Sequence, residues 1–282
     1  MKNTDNYDLI IINILFFIFP FTVILGNLYT NLNIILLCIC ALFFYGKKII
    51  KIKLNFFDKI ILVFFFYTVL VLIINFLESR YTGILFPKFI IYKTLLYFKY
   101  LVLYLIFRFL ITEKILKLNW FFLSCTLCAS FICIDIFVQA FFGKDMFGIE
   151  PGPTRHFSGV FGNELIAGGY LQRFALFSFF LPFLSKKNIF YKVSIQTIFL
   201  IFFLFGIVLS GNRMPLILFL FSYFIFLSLN TELRKYFFSI FIIVFLFLFL
   251  NFSINQKFNT NISNFYYSSI NLVGTFLNKN LT

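Results

Sequence analysis

Residues Ile60–Leu77 read IILVFFFYTVLVLIINFL. The run carries no charged side chain, and its length is close to the ~20 apolar residues a helix needs to cross the hydrocarbon core of a bilayer. Lipid offers the backbone no hydrogen-bond partners, so a segment placed there must be helical. Comparable runs lie on both sides: Leu9–Gly26, Leu32–Tyr45, Thr94–Ile111, Trp120–Phe142, Glu164–Leu184, Ile189–Leu209, Met214–Leu229 and Tyr236–Phe252. The pattern predicts an all-α fold, a polytopic integral membrane bundle of about nine transmembrane helices. Residues 1–252 form one multi-span membrane domain, and 253–282 begin an outer, periplasmic loop rich in Asn and Ser.

Composition leads to the same class. Of 282 residues, 62% are hydrophobic and 12% charged, against about 25% charged in soluble domains; mean hydropathy is +1.00. A single soluble core does not hide that much apolar surface from water. The 50 Phe accompany abundant Ile, Asn and Lys, all read from AT-rich codons; codon bias accounts for them, and an aromatic-lined lipid path is the sharper alternative. The net charge of +14 would point to nucleic acid in a soluble chain. Here the basic residues lie between apolar runs and no nucleic-acid motif accompanies them, so no nucleic-acid partner is expected. The first run is an uncleaved helix rather than a signal peptide, because Asp5 and Asp8 accompany Lys2 ahead of it and no small-x-small cleavage site follows. Cys38, Cys40, Cys125, Cys128 and Cys133 all fall inside apolar runs. The lone C-x-x-C of Cys125 and Cys128 has no second pair or His beside it, so these read as buried thiols. No metal and no cofactor is expected.

Orientation follows from the basic residues of the connections. The segment Lys47, Lys48, Lys51, Lys53 and Lys59 is the densest. With it inside, Arg108, Lys114, Lys117, Lys186, Lys187, Lys192, Arg234 and Lys235 are inside too. The outer connections and tail hold the smaller set Arg80, Lys88, Lys93, Lys144, Arg155, Arg213, Lys257 and Lys279. The N-terminus is then cytoplasmic. The Gly143–Asn163 loop, the Ser210–Arg213 turn and the tail after Phe252 share the outer side.

Polar chemistry concentrates in Pro151–Arg173, PGPTRHFSGVFGNELIAGGYLQR, which holds the single His and five of the 13 Gly. Asn163 stands at an N-cap position before the next apolar run, with Glu164 in the first turn. A helix N-terminus presents free N–H groups and partial positive charge, which with Arg155 suits a phosphate. The plain alternative is a solvated loop whose Arg meets lipid headgroups. Arg213 opens another run after a tight turn, with Pro215 close behind; it is a second arm of a pyrophosphate clamp or a snorkelling anchor. Asp135, Gln172 and Arg173 lie within apolar runs, where charge is costly. Asp135 and Arg173 are paired on depth, as part of a site or as a structural ion pair. Gly168 and Gly169 allow a neighbouring helix to approach. His156 could act as a base but has no orienting carboxylate at helical spacing.

Arg155–Tyr170, RHFSGVFGNELIAGGY, followed two runs later by SGNRMPL, resembles the O-antigen ligase/polymerase family of bacterial membrane glycan transferases. In that family an Arg and a Gly-rich segment with an Asn open one helix, and a second Arg in a Ser/Gly-x-Arg turn opens another. The resemblance covers about 25 residues directly, and the nine-run layout agrees with the family's first nine helices. It implies an enzyme, a metal-independent glycosyltransferase of the bacterial inner (cytoplasmic) membrane. That enzyme takes an undecaprenyl-pyrophosphate-linked glycan on the periplasmic side and moves it to an acceptor hydroxyl such as lipid A-core, in lipopolysaccharide assembly. Arg155 and Arg213 would hold the pyrophosphate. Family members often place the Arg three residues before the first Gly; here His156 holds that place and Arg155 is one further away. The family's His base lies in a large outer loop after the ninth span, so the resemblance implies that the base lies beyond Thr282 and that the chain is an N-terminal fragment or truncated product. Other readings are an O-antigen polymerase, a transporter or flippase for lipid-linked oligosaccharides, and a membrane protein or fragment with no catalytic role.

Overall fold

A computed structural model describes residues 4–82, 88–151, 157–162, 164–184, 188–230, 234–236 and 242. Among them there are helices and turns and no strand: α1 (Thr4–Leu25), α2 (Asn27–Ile50), α3 (Phe56–Thr82), α4 (Lys88–Thr112), α5 (Leu118–Phe142), α6 (Ala167–Phe174), α7 (Leu181–Leu184), α8 (Ile189–Leu209) and α9 (Arg213–Leu229). Six of these, α1 to α5 and α8, are long and apolar enough to cross a membrane, and α9 is a shorter apolar helix. The chain is a multi-pass, all-helical membrane protein in these terms.

The chain divides into two compact units, Met1–Leu118 and Asn119–Thr282. In the first, α1 packs on α2, α2 on α4, and α3 on α4. The polar turn expected at Asn27–Asn31 is helical instead. The reversal is made by Gly26 alone, at φ 107, a backbone region open to glycine. Polar side chains at and after the reversal bond to nearby groups: the Thr30 hydroxyl donates to the Gly26 carbonyl at 3.0 Å, the Asn33 amide to the Leu15 carbonyl at 3.2 Å, and Asn31 Oδ1 accepts from Lys99 of α4 at 2.5 Å. α2 continues to Ile50, taking Lys47 and Lys48 into its last turn, where cations complement the helix dipole.

The start of α3 holds a buried ion pair. Asp58 is 1% exposed and forms a salt bridge with Arg108 of α4. Its carboxylate also accepts from the Asn55 N–H at 2.5 Å and from the Tyr104 hydroxyl at 2.7 Å. The Asn55 contact is the back-reaching half of a capping box, and Arg108 in turn donates to the Lys53 carbonyl at 2.9 Å. One carboxylate thus fixes both the start of α3 and its pairing with α4.

The second unit contains the stretch that departs most from expectation. Glu164–Leu184 is not one continuous α-helix. It comprises a turn, α6, a 3₁₀ segment over Ala175–Phe180 and the short α7. α6 starts at Ala167, with Ile166 in the cap position, three residues later than the sequence implied. The ninth run, Tyr236–Phe252, lies almost wholly outside the described residues.

Candidate functional site

The second unit gathers its polar groups at one end of α5. Asp135 and Gln139 are four residues apart and therefore share a helix face; both are fully buried. Asp135 Oδ1 accepts from the Met146 N–H at 2.9 Å. Gln139 donates to the Ile149 carbonyl at 3.3 Å and accepts from the Gly159 N–H at 2.9 Å. These side chains clamp the two ends of the long connection onto α5. The connection is itself ordered by Asp145, whose Oδ1 accepts from the Phe147 and Ile149 N–H groups at 2.9 and 2.6 Å. Such an Asx arrangement builds a tight turn from one carboxylate.

Gly159 is irreplaceable in this geometry. Its φ is +53, and an added Cβ would stand 2.6 Å from Asp135 Oδ2. After the 3₁₀ turn Gly159–Phe161 the Ser158 hydroxyl donates to the Gly162 carbonyl, closing the loop on itself.

From there the chain enters α6 beside the α8–α9 turn. The Asn212 side-chain amide donates to the Leu165 carbonyl at 3.0 Å. A Cβ on Gly168 would lie 2.4 Å from Ser210 Oγ and 2.9 Å from Asn212 Cβ. The close approach expected of Gly168 is therefore present, and its partner is the Ser210–Asn212 turn. Gly169 has open space around it. Arg213 is the first residue of α9, with Pro215 in the first turn.

Of the residues singled out in the sequence, Arg155, His156 and Asn163 lie outside the described residues. Glu164 is exposed, and its N–H closes a turn onto the Phe161 carbonyl at 3.0 Å. Asp135 and Arg173 are not paired; no ion pair joins them among the described residues. The reason is helical phase. α6 buries Ala167, Gly168, Tyr170, Leu171 and Phe174, which leaves Arg173 on the opposite, exposed face, while Asp135 is taken up by the connection. Gln139, Asp145, Ser210 and Asn212 were not picked out. The spacing of Asp135 and Gln139 in an apolar helix was a usable signal for the first, and Asp145 bonds only to nearby backbone; Ser210 and Asn212 meet α6 through contacts distant in sequence.

The five cysteines are free, with Cys125 and Cys133 buried. No protein-family model matches the chain, and searches of curated proteins and of solved structures find no match.

Proposed function

We propose that this chain belongs to the machinery that transfers an undecaprenyl-pyrophosphate-linked glycan to an acceptor hydroxyl, in the manner of an O-antigen ligase acting on lipid A-core. In this reading the bundle has about nine spans and sits in a bacterial inner membrane, with its N-terminus cytoplasmic and the Gly143–Asn163 loop facing the periplasm. The observation that supports it is the contact between the two motifs that carry the family resemblance. Leu165 and Gly168 of the first touch Ser210 and Asn212 of the second, although more than forty residues separate them in sequence. Arg213 opens α9 directly after that contact. Arg155, ahead of the Gly-rich segment in the sequence, and Arg213, the first residue of α9, hold the two phosphates of the donor, and positive charge there stabilises the pyrophosphate as it leaves. The donor carries its own leaving group and the acceptor its own nucleophile, so neither a metal nor a nucleotide is required.

The test is genetic. Arg155→Ala and Arg213→Ala, each introduced into the protein in its own cell, are expected to leave surface polysaccharide unattached while its lipid-linked precursor accumulates outside. Loss of chain length alone would indicate a polymerase, and precursor held on the cytoplasmic face a flippase. Normal attachment in both variants would remove the clamp.

A further inference from the structure

Two connections at one end of the Met1–Leu118 unit are tied down by side chains. The first joins Ile50 of α2 to Phe56 of α3. Arg108 donates to its Lys53 carbonyl, and Asp58 accepts from its Asn55 N–H. The second follows α4, whose last turns reach the same end: besides the Arg108 bond, Phe109 packs on Tyr45 of α2 with ring centroids 5.6 Å apart. Asn13 of α1 holds this second connection by donating to the Ile115 carbonyl at 3.0 Å and accepting from the Lys117 N–H at 2.6 Å.

Both connections are basic. Lys47, Lys48, Lys51, Lys53 and Lys59 lie in or beside the first, Lys114 and Lys117 in the second, and all seven are exposed. The acidic residues of this end are Asp5, Asp8, Asp58 and Glu113, and Asp58 is buried against Arg108. The seven exposed lysines therefore outnumber the three acids left to face them. Apolar side chains alternate with the lysines: residues 48–57 read KIIKIKLNFF, and Ile50, Phe56 and Phe57 are 84, 73 and 73% exposed. These residues fall at the edges of span-length apolar helices, so the lysines stand at the rim of the apolar zone.

We infer that this end of the unit is a docking surface for anionic phospholipid headgroups, gathered by the two tied connections and seated over Ile50, Phe56 and Phe57. A nucleic acid or an acidic soluble protein would match the charge and leave those three side chains in water. A lipid leaflet matches both features. Acyl chains take up the apolar side chains, and the long lysine stems carry their ammonium groups to the headgroups. An anionic leaflet attracts basic residues placed just beyond a span in this way. The ties matter because they hold the lysines at the membrane rim, and Arg108, neutralised by Asp58, serves as a fastener and not as part of the attraction. The surface requires neither the Arg155 and Arg213 clamp nor a particular orientation of the chain.

The test is native mass spectrometry of the full chain in detergent, titrated with an equimolar mixture of phosphatidylglycerol and phosphatidylcholine of the same acyl chains. The expected result is a preference for phosphatidylglycerol of at least about fivefold, lost when Lys51→Gln, Lys53→Gln and Lys114→Gln are combined. The same three positions changed to Arg should retain it, which separates loss of charge from misfolding. Lys144→Gln, at a residue paired with Glu150 in the other unit, should leave it unchanged. Equal binding of the two lipids, an unchanged preference in the triple Gln variant, or its loss in the triple Arg variant would each overturn the proposal. So would displacement of phosphatidylglycerol by a short single-stranded oligonucleotide, which would make the surface one for nucleic acid.

Discussion

Asn212 donates its side-chain amide to the Leu165 carbonyl at 3.0 Å, tying the turn before α9 to the segment that enters α6. The carbonyl it satisfies lies just before α6, in a turn that the helix's own ladder does not serve. The Ser210–Asn212 turn thereby fixes where α6 begins, and the start of α9 follows from the same contact.

Replacing Asn212 by Ala should cost about 1 kcal/mol, the usual net worth of such a hydrogen bond. Thermal unfolding of the purified protein in detergent measures it. Under the proposed function the same variant should also weaken donor binding, because the Arg213 backbone loses its brace. Unchanged stability would mean that the Gly168 contact alone holds the two motifs together.

A second close approach lies deeper in the unit. A Cβ on Gly206 of α8 would meet Cys133 Sγ at 2.4 Å and Leu171 Cδ1 at 3.3 Å, and Cys133 donates its thiol to the Phe202 carbonyl at 3.2 Å. Gly206→Ala should therefore destabilise by about 1–3 kcal/mol, as overpacking does. Cys133→Ala removes the opposing sulfur. The double variant should be more stable than the sum of the single changes implies, with a coupling of at least about 0.5 kcal/mol. Strict additivity would contradict the contact.

The separation of Asp135 from Arg173 has a similar test. Asp135→Asn and Arg173→Gln should be additive in stability within about 0.5 kcal/mol, as independent sites are. A larger favourable coupling would restore the ion pair that simple depth counting implies. Asp135→Leu, in contrast to Asp135→Asn, should be strongly damaging, since it leaves the Met146 N–H without its acceptor at a cost of about 1–3 kcal/mol.

These relationships mark how far the sequence could be read. Runs such as Ile60–Leu77 and Trp120–Phe142 announce span-length helices because hydropathy and length suffice to recognise them. The break in Glu164–Leu184 was only partly legible: Gly168, Gly169, Gln172, Arg173 and Pro182 interrupt its apolar residues, but hydropathy carries no information on whether a turn takes 3.6 residues or three. The Asn27–Asn31 segment was misread for the opposite reason. Its polar side chains suggested a water-facing turn, yet Thr30 bonds to the Thr22 and Gly26 carbonyls and Asn31 accepts from Lys99. The Asp58–Arg108 pair joins residues fifty positions apart, which local pattern does not reveal. In the candidate site, Gly168 and the Arg213 helix start were readable from small residues and Pro215. The acceptor of Asn212 and the clamp made by Gln139 depended on tertiary contacts. Arg173 was partnered with Asp135 on depth alone, and no ion pair joins them among the described residues, because residue counting gives depth but not the face of the helix.

The most direct measurement is the affinity of the purified chain for a polyprenyl pyrophosphate, compared among wild type, Arg155→Ala, Arg213→Ala and Arg173→Gln in the same detergent. The expected result is a loss of roughly tenfold or more in each of the first two variants, consistent with ~1.4 kcal/mol or more from a charge-assisted phosphate contact, and little change in the third. Affinity unchanged in both Arg155→Ala and Arg213→Ala would contradict a pyrophosphate clamp made by these two arginines.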